Sequence, residues 1–95
     1  MEDNQIIELY WNRNENAIIE TQKKYGIYCN SIAYNILQSK EDSKEALNDT
    51  YLKVWNSIPT ERPNIFKLYL ARITRNISIH KYNKLKAKKR NNSME

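Results

Sequence analysis

A chain of 95 residues with 40% apolar and 28% charged side chains fits one small domain with a modest core, and a single Gly and two Pro leave few breaks in it. Its one cysteine, Cys29, excludes an internal disulfide and a cysteine metal cluster, and reads as a small buried residue in a reducing compartment. No apolar run is long enough for a membrane span and the acidic N-terminus is not a signal peptide, so the expected location is the cytoplasm.

Four helices are predicted, and no segment alternates for long enough to read as a strand. The first covers about Asp3 to Asn12, with Ile6, Ile7, Leu9 and Tyr10 as apolar surface. Asn14 is the expected N-cap of the second, which ends near Ser39. Along it Ile18, Tyr25, Cys29, Ile32 and Ile36 fall on one face. Gly26 interrupts that helix at a cost of about 1 kcal/mol against Ala.

The third helix starts around Glu41 or Asp42, where carboxylates suit a positive helix end, and stops at Pro59. Leu47, Tyr51, Val54 and Ile58 form its core stripe. Residues 59–64, PTERPN, form a turn. The fourth helix begins near Ile65 and packs through Phe66, Leu70, Ile73 and Ile77, with His80 near that stripe as an edge histidine. Beyond Tyr82 it projects or frays, and residues 91–95 are expected to be disordered, leaving 1–90 as the domain. The architecture expected is an all-α bundle of about four helices, the last long and basic.

Charge is divided sharply along this chain. Residues 1–61 hold six Lys/Arg against ten Asp/Glu, whereas residues 62–95 hold ten against one. The basic half suits a polyanion. On the fourth helix Arg72, Asn76, Ile79 and Asn83 share a flank, with Arg75 and Tyr82 beside them. Arginine neutralises phosphate, asparagine pairs with base edges and tyrosine stacks on unpaired bases. A solvating face would mix Lys with Glu, and Glu is missing here. The outer face of the third helix holds Glu45, Asn48, Asp49, Leu52, Asn56 and, at its edge, Trp55. A charged rim around an apolar centre is common on protein-binding surfaces, and an ordinary solvated face with one exposed Leu has the same composition. Gly-rich phosphate loops, zinc-protease motifs and nucleophile–histidine sets are missing, so no enzyme and no cofactor are expected.

Three segments carry a family resemblance. EDSKEALNDTYLKVW (41–55) resembles the core-binding helix of bacterial sigma factors, usually close to D-A-E-D-L-V-Q-E-T-F-L-R-V-W. FKLYLARITRNISIHKYNK (66–84) resembles the helix that follows it, usually close to F-R-A-W-L-x-R-I-A-R-N-L-A-I-D-x-x-R. KYGIYCNSIAYNIL (24–37) is similar to the segment Y-G-x-x-L-Y-x-x-A-x-x-I-L. In this order they span about residues 5 to 90 and resemble the second domain of a sigma-70 family factor of the extracytoplasmic-function type.

The resemblance implies two partners. Asp42, Glu45, Asn48, Asp49, Leu52 and Trp55 would dock on the clamp helices of the RNA polymerase β′ subunit. Arg72, Arg75 and Asn76, with Tyr69, Ile79, His80 and Asn83 nearby and Arg62 in the preceding loop, would bind the promoter −10 element. There they would help melt the duplex and hold bases of the non-template strand. The resemblance leaves open whether an anti-sigma factor is a further partner. Departures fall at Lys44, Ala46, Tyr69, His80 and Asn83, and prolines stand in the loop where Gly and Ser are usual. These bear on base preference. The family's second, −35-reading helix-turn-helix domain is not represented in these residues. Two other readings stay open: a sigma-like decoy that binds polymerase or an anti-sigma factor without initiating, and a basic helical module for RNA or anionic membrane that ignores sequence.

Overall fold

The computed structural model describes the backbone of residues 1–93 and the side chains of residues 1–88. Four helices follow one another: α1 (Asp3–Trp11), α2 (Asn16–Leu37), α3 (Lys40–Ser57) and α4 (Phe66–Ser93). The described residues contain no strand, and none of their helices is long and apolar enough to cross a membrane. The all-α bundle expected from periodicity is the fold observed. α2 packs against both α3 and α4, α3 against α4, and α1 closes over α2.

Local chemistry sets the helix ends. Gln5 Oε1 accepts the Glu2 N–H at 3.0 Å ahead of α1. Asn14 Oδ1 accepts the Asn16 N–H and the Asn14 carbonyl accepts the Ala17 N–H, both at 3.0 Å, so Asn14 satisfies the donors that open α2. Gln38 ends α2 in a left-handed conformation (φ 54°), its N–H on the Tyr34 carbonyl and its side-chain amide on the Tyr34 and Asn35 carbonyls. Ser39 is the N-cap of α3, accepting from the Asp42 N–H at 3.2 Å, and Glu41 and Asp42 fill the first turn. α3 ends at Ser57, just ahead of Ile58 and Pro59.

The centre of the bundle differs from the predicted stripes in an instructive way. Many of the fully buried residues are small: Ala17, Thr21, Cys29 and Ala33 on α2, Ser43, Ala46 and Thr50 on α3, Thr74 and Ser78 on α4. Of the expected α2 stripe only Cys29 is fully buried, while Ile18, Tyr25, Ile32 and Ile36 flank the seam half-buried. Ile73 and Ile77 are likewise half-buried beside Thr74 and Ser78. Small side chains let the helix backbones approach, and larger ones fit only at the edges. Three of the hydroxyls are satisfied within their own helices, since Thr21, Ser43 and Thr50 each donate to the carbonyl four residues back at 2.7–2.8 Å, whereas those of Thr74 and Ser78 are buried without a hydrogen-bond partner. Burial pushes the Cys29 thiol up, against the opposing effect of the Thr74 hydroxyl, so it remains a neutral packing group.

Larger side chains collect at one end, under α1. Tyr10, Tyr25 and Tyr69 surround Phe66 at ring-centroid distances of 6.2, 5.9 and 6.4 Å. Ile6, Ile7, Val54, Ile58 and Leu70 complete the cluster. Thr21 donates its own proton to Ala17, so Tyr10 Oη donates to Thr21 Oγ1, at 2.7 Å. Arg13 locks this end: in a left-handed turn (φ 55°) it donates to the Trp55 and Ile58 carbonyls at 2.9 and 2.7 Å and lies 3.7 Å from the Trp55 ring centroid.

The basic end of α4 continues as helix instead of fraying, and residues 82–88 stand exposed. The helix accounts for much of the 51 Å long axis of the molecule, which is 23 by 21 Å across. The expectation of a disordered tail over 91–95 falls largely on side chains and backbone outside the described residues.

Three consequences for stability are expected. Arg13→Ala removes two charge-assisted hydrogen bonds to the end of α3 and should destabilise by about 1–3 kcal/mol in urea unfolding. At Gly26 an added Cβ would meet only Tyr51 Oη, at 3.6 Å, so Gly26→Ala should stabilise by about 0.5–1 kcal/mol. Burial pushes Tyr10 and Tyr51 up to about 12 from 10.0. Their neutral forms are favoured in the fold, so this part of stability is intact below pH 10 and is lost as pH rises towards 12. An alkaline unfolding titration should show that loss, and Tyr10→Phe should reduce it.

Candidate nucleic-acid and protein interfaces

Two surfaces of opposite chemistry lie on neighbouring helices. The outer face of α3 presents Glu45, Asn48 and Asp49 to solvent around Leu52, which is 59% exposed. A bundle of this length leaves the fourth side of α3 uncovered, and the 3.6-residue repeat places these residues there together. Asp42 and Trp55 are half-buried at the margins. Asp42 belongs to the first turn, and Trp55 is held beneath Arg13 and against Tyr10, its ring centroid 6.2 Å from the tyrosine's. The structure thus brings four of the six predicted docking residues onto one open face and seats the other two beside it.

The second surface is a groove of ≈ 870 Å³ between α2 and α4. Arg72, Arg75, Asn76 and Ile79 line its α4 wall, as the flank predicted from periodicity requires. All four are exposed, and among the described residues neither arginine has a carboxylate partner. No Asp or Glu lines the groove, so its field is positive throughout. Its other wall is Tyr28, Ile32, Asn35 and Ile36 of α2, which sequence reasoning assigned to the core or passed over. The signal was present, since Tyr28 and Asn35 sit seven apart beside Ile32 and Ile36, but it needed the position of α4 to be read.

The remaining residues of the set expected from the sequence resemblance divide between places. Asn83 is exposed further along α4. His80 is exposed on the opposite side of that helix from the groove, with Glu45, Asp49, Ile77, Lys81 and Lys84 around a smaller hollow of ≈ 310 Å³. There Lys81 Nζ bonds Glu45 Oε1 at 2.6 Å, tying α4 to the acidic face of α3. Tyr69 is half-buried and stacked on Phe66, and its hydroxyl lies near Ser57 and Glu61 without a hydrogen bond of good geometry. Burial raises its pKa, which keeps the hydroxyl neutral. Arg62 in the 59–64 turn reaches back to α1, pairing with Glu8 at 2.7 Å and lying 4.9 Å from the Trp11 ring centroid. Both its side chain and that of Glu8 are more than half exposed, so the pair contributes only about 0–1 kcal/mol and exchanges readily for another anion. Among the described residues no group of histidine, cysteine and carboxylate side chains is arranged to hold a metal.

No curated protein and no solved structure matches the chain significantly. A family model does: residues 24–88 match sigma-70 region 2, a span running from α2 through both surfaces to the exposed part of α4. That span is well over half of the chain. The chain therefore belongs to the sigma-70 region 2 family, whose role is to bind RNA polymerase and recognise the promoter −10 element.

Proposed function

We propose that the two surfaces divide the family's task between them. The α3 face, Glu45, Asn48, Asp49 and Leu52 with Asp42 and Trp55 at its margins, docks on the β′ clamp helices of RNA polymerase. The α4 wall, Arg72, Arg75, Asn76 and Ile79, binds the −10 element and holds non-template-strand bases once the duplex opens. Asn83, Tyr82 and the lysines beyond extend this contact along the phosphate backbone, and Arg62 and Tyr69 flank it at the turn. An isolated base step costs a few kcal/mol to unstack, and capture of the released strand by arginine and amide groups offsets that cost. His80 and Lys84 stand beside the acidic face of α3, away from the groove, and take no part in it.

One observation carries this reading: a groove lined by Arg72, Arg75 and Asn76 without a single carboxylate, one helix away from an acidic face centred on an exposed leucine. A partner that recognised charge alone would use neither the asparagine nor the leucine. The sequence-blind alternative and the decoy alternative both predict less than this arrangement offers.

The test measures each surface separately. Asp49→Lys should weaken binding to isolated clamp helices by about tenfold or more, because the reversed charge repels a basic partner, while binding to a single-stranded −10 oligonucleotide persists. Arg72→Ala and Asn76→Ala should each weaken oligonucleotide binding by about tenfold and leave clamp-helix binding intact. Salt separates the two: Arg72→Ala should flatten the log K against log salt slope by about 0.7, and Asn76→Ala should leave it unchanged. Variants that keep their helical circular dichroism yet fail in both assays would refute the two-surface division. Opening of a −10 promoter fragment with core polymerase distinguishes an initiating domain from a decoy.

A further inference from the structure

The α2 wall of the groove has a chemistry of its own. Tyr28 is half-buried at the groove, and Lys67 Nζ stands 4.6 Å from its ring centroid, bringing a third cation to the mouth beside Arg72 and Arg75. Asn35 is exposed, seven residues or about 10 Å further along α2. Between them Ile32 and Ile36 form an apolar floor. Arg72 and Ile79 are also seven apart, so the two walls have matching lengths.

A fully solvated phosphate backbone has no use for an apolar floor, and a base inside a duplex has both faces stacked. An unpaired nucleotide has one charged side and one flat apolar side, which is the combination the groove presents. Positive charge without a counter-carboxylate selects a polyanionic occupant over an apolar or basic one.

We infer that Tyr28 and Asn35 form the second wall of a single-strand site, with the Tyr28 ring as stacking platform for one unpaired base of the DNA and the Asn35 amide as a hydrogen-bonding group for its neighbour. The inference rests on the promoter-binding reading of α4 and adds α2 to it. It assigns part of the base preference to residues outside α4.

Fluorescence anisotropy with the whole chain tests it, using a labelled single-stranded −10 oligonucleotide and a series in which each position in turn is abasic. The wild-type chain should lose about tenfold in affinity when the stacked position is abasic. Tyr28→Ala should lose about tenfold on the intact oligonucleotide and nothing further on that abasic one. Tyr28→Leu, which keeps apolar bulk without a ring, should behave like Tyr28→Ala, and Tyr28→Phe like wild type. Asn35→Ala, at an exposed position, should lose about threefold. Unchanged clamp-helix binding shows that each variant is folded.

Wild-type affinity in Tyr28→Ala alongside a loss in Arg72→Ala overturns the α2 wall and leaves the α4 reading standing. Wild-type affinity in both variants removes the promoter-binding reading itself and assigns the groove to a different occupant, such as an acidic protein helix. A Tyr28→Ala penalty that is additive with every abasic position also overturns the inference, since it reports a general structural effect and not one stacked base.

Discussion

The burial of small side chains where α2 packs on α3 and α4 shapes the rest of this molecule. Ala17, Thr21, Cys29 and Ala33 on α2, Ser43, Ala46 and Thr50 on α3, and Thr74 and Ser78 on α4 are all fully buried. Had Leu or Phe stood there, the helices would sit further apart and the large residues would fill the centre. Instead the large residues move outward. Ile32, Ile36 and Tyr28 on α2 and Leu68 and Ile79 on α4 become the lining of the groove. The apolar surface that a binding site needs is thus displaced core, left at the rim because the seam is narrow.

The same geometry makes α4 serve three purposes in succession. Phe66 and Leu70 anchor it in the aromatic cluster under α1. Arg72 to Ile79 then alternate between the buried seam, through Thr74 and Ser78, and the groove. From Tyr82 onward the helix leaves the bundle with its side chains exposed. A continuous helix holds the Cα positions of Arg72 and Arg75 at a fixed distance from the anchored end, so the backbone that carries them is ordered without a partner. That lowers the conformational entropy lost on binding. Helical structure persists past the bundle although nothing covers it, which periodicity alone could not decide between projection and fraying.

Much of this was legible in the sequence, for reasons that differ from element to element. Helix number, and the limits other than the far end of α4, were readable to within a residue or two because Pro59 and Asn14 act locally, through a lost donor and a side-chain acceptor; the capping of α3 by Ser39 was not read. The clustering of Arg72, Arg75, Asn76 and Ile79 followed from the 3.6-residue repeat, which needs no tertiary information. The small-residue seam was not legible, since ranking positions by hydrophobicity passes over Thr74 and Ser78 in favour of Ile73 and Ile77. The roles of Arg13 and Arg62 were hidden for another reason. Their partners, the Trp55 and Ile58 carbonyls and Glu8, lie more than forty residues away along the chain. The α2 wall of the groove was hidden in the same way, because a groove between two helices belongs to neither sequence pattern alone.

The brace at the α1 end explains why the two surfaces can be close without merging. Arg13 ties the start of α2 to the end of α3, and the exposed Arg62–Glu8 pair adds only a weak link from the turn before α4 to α1. Tyr25 Oη donates to the Asp3 carboxylate at 2.8–2.9 Å and Lys24 pairs with it at 2.8 Å, fastening α1 along α2. At the other end, among the described residues, one ion pair, Lys81 to Glu45, joins α4 to the acidic face of α3. The first set includes hydrogen bonds to backbone carbonyls at a packed helix end, which resist water. The second joins a covered ammonium to a carboxylate that is 63% exposed, which water and partners reach freely. Rigidity is therefore concentrated at the end where the chain turns into α4. The end where acid and base meet is held by a contact that a competing charged group can replace at little cost.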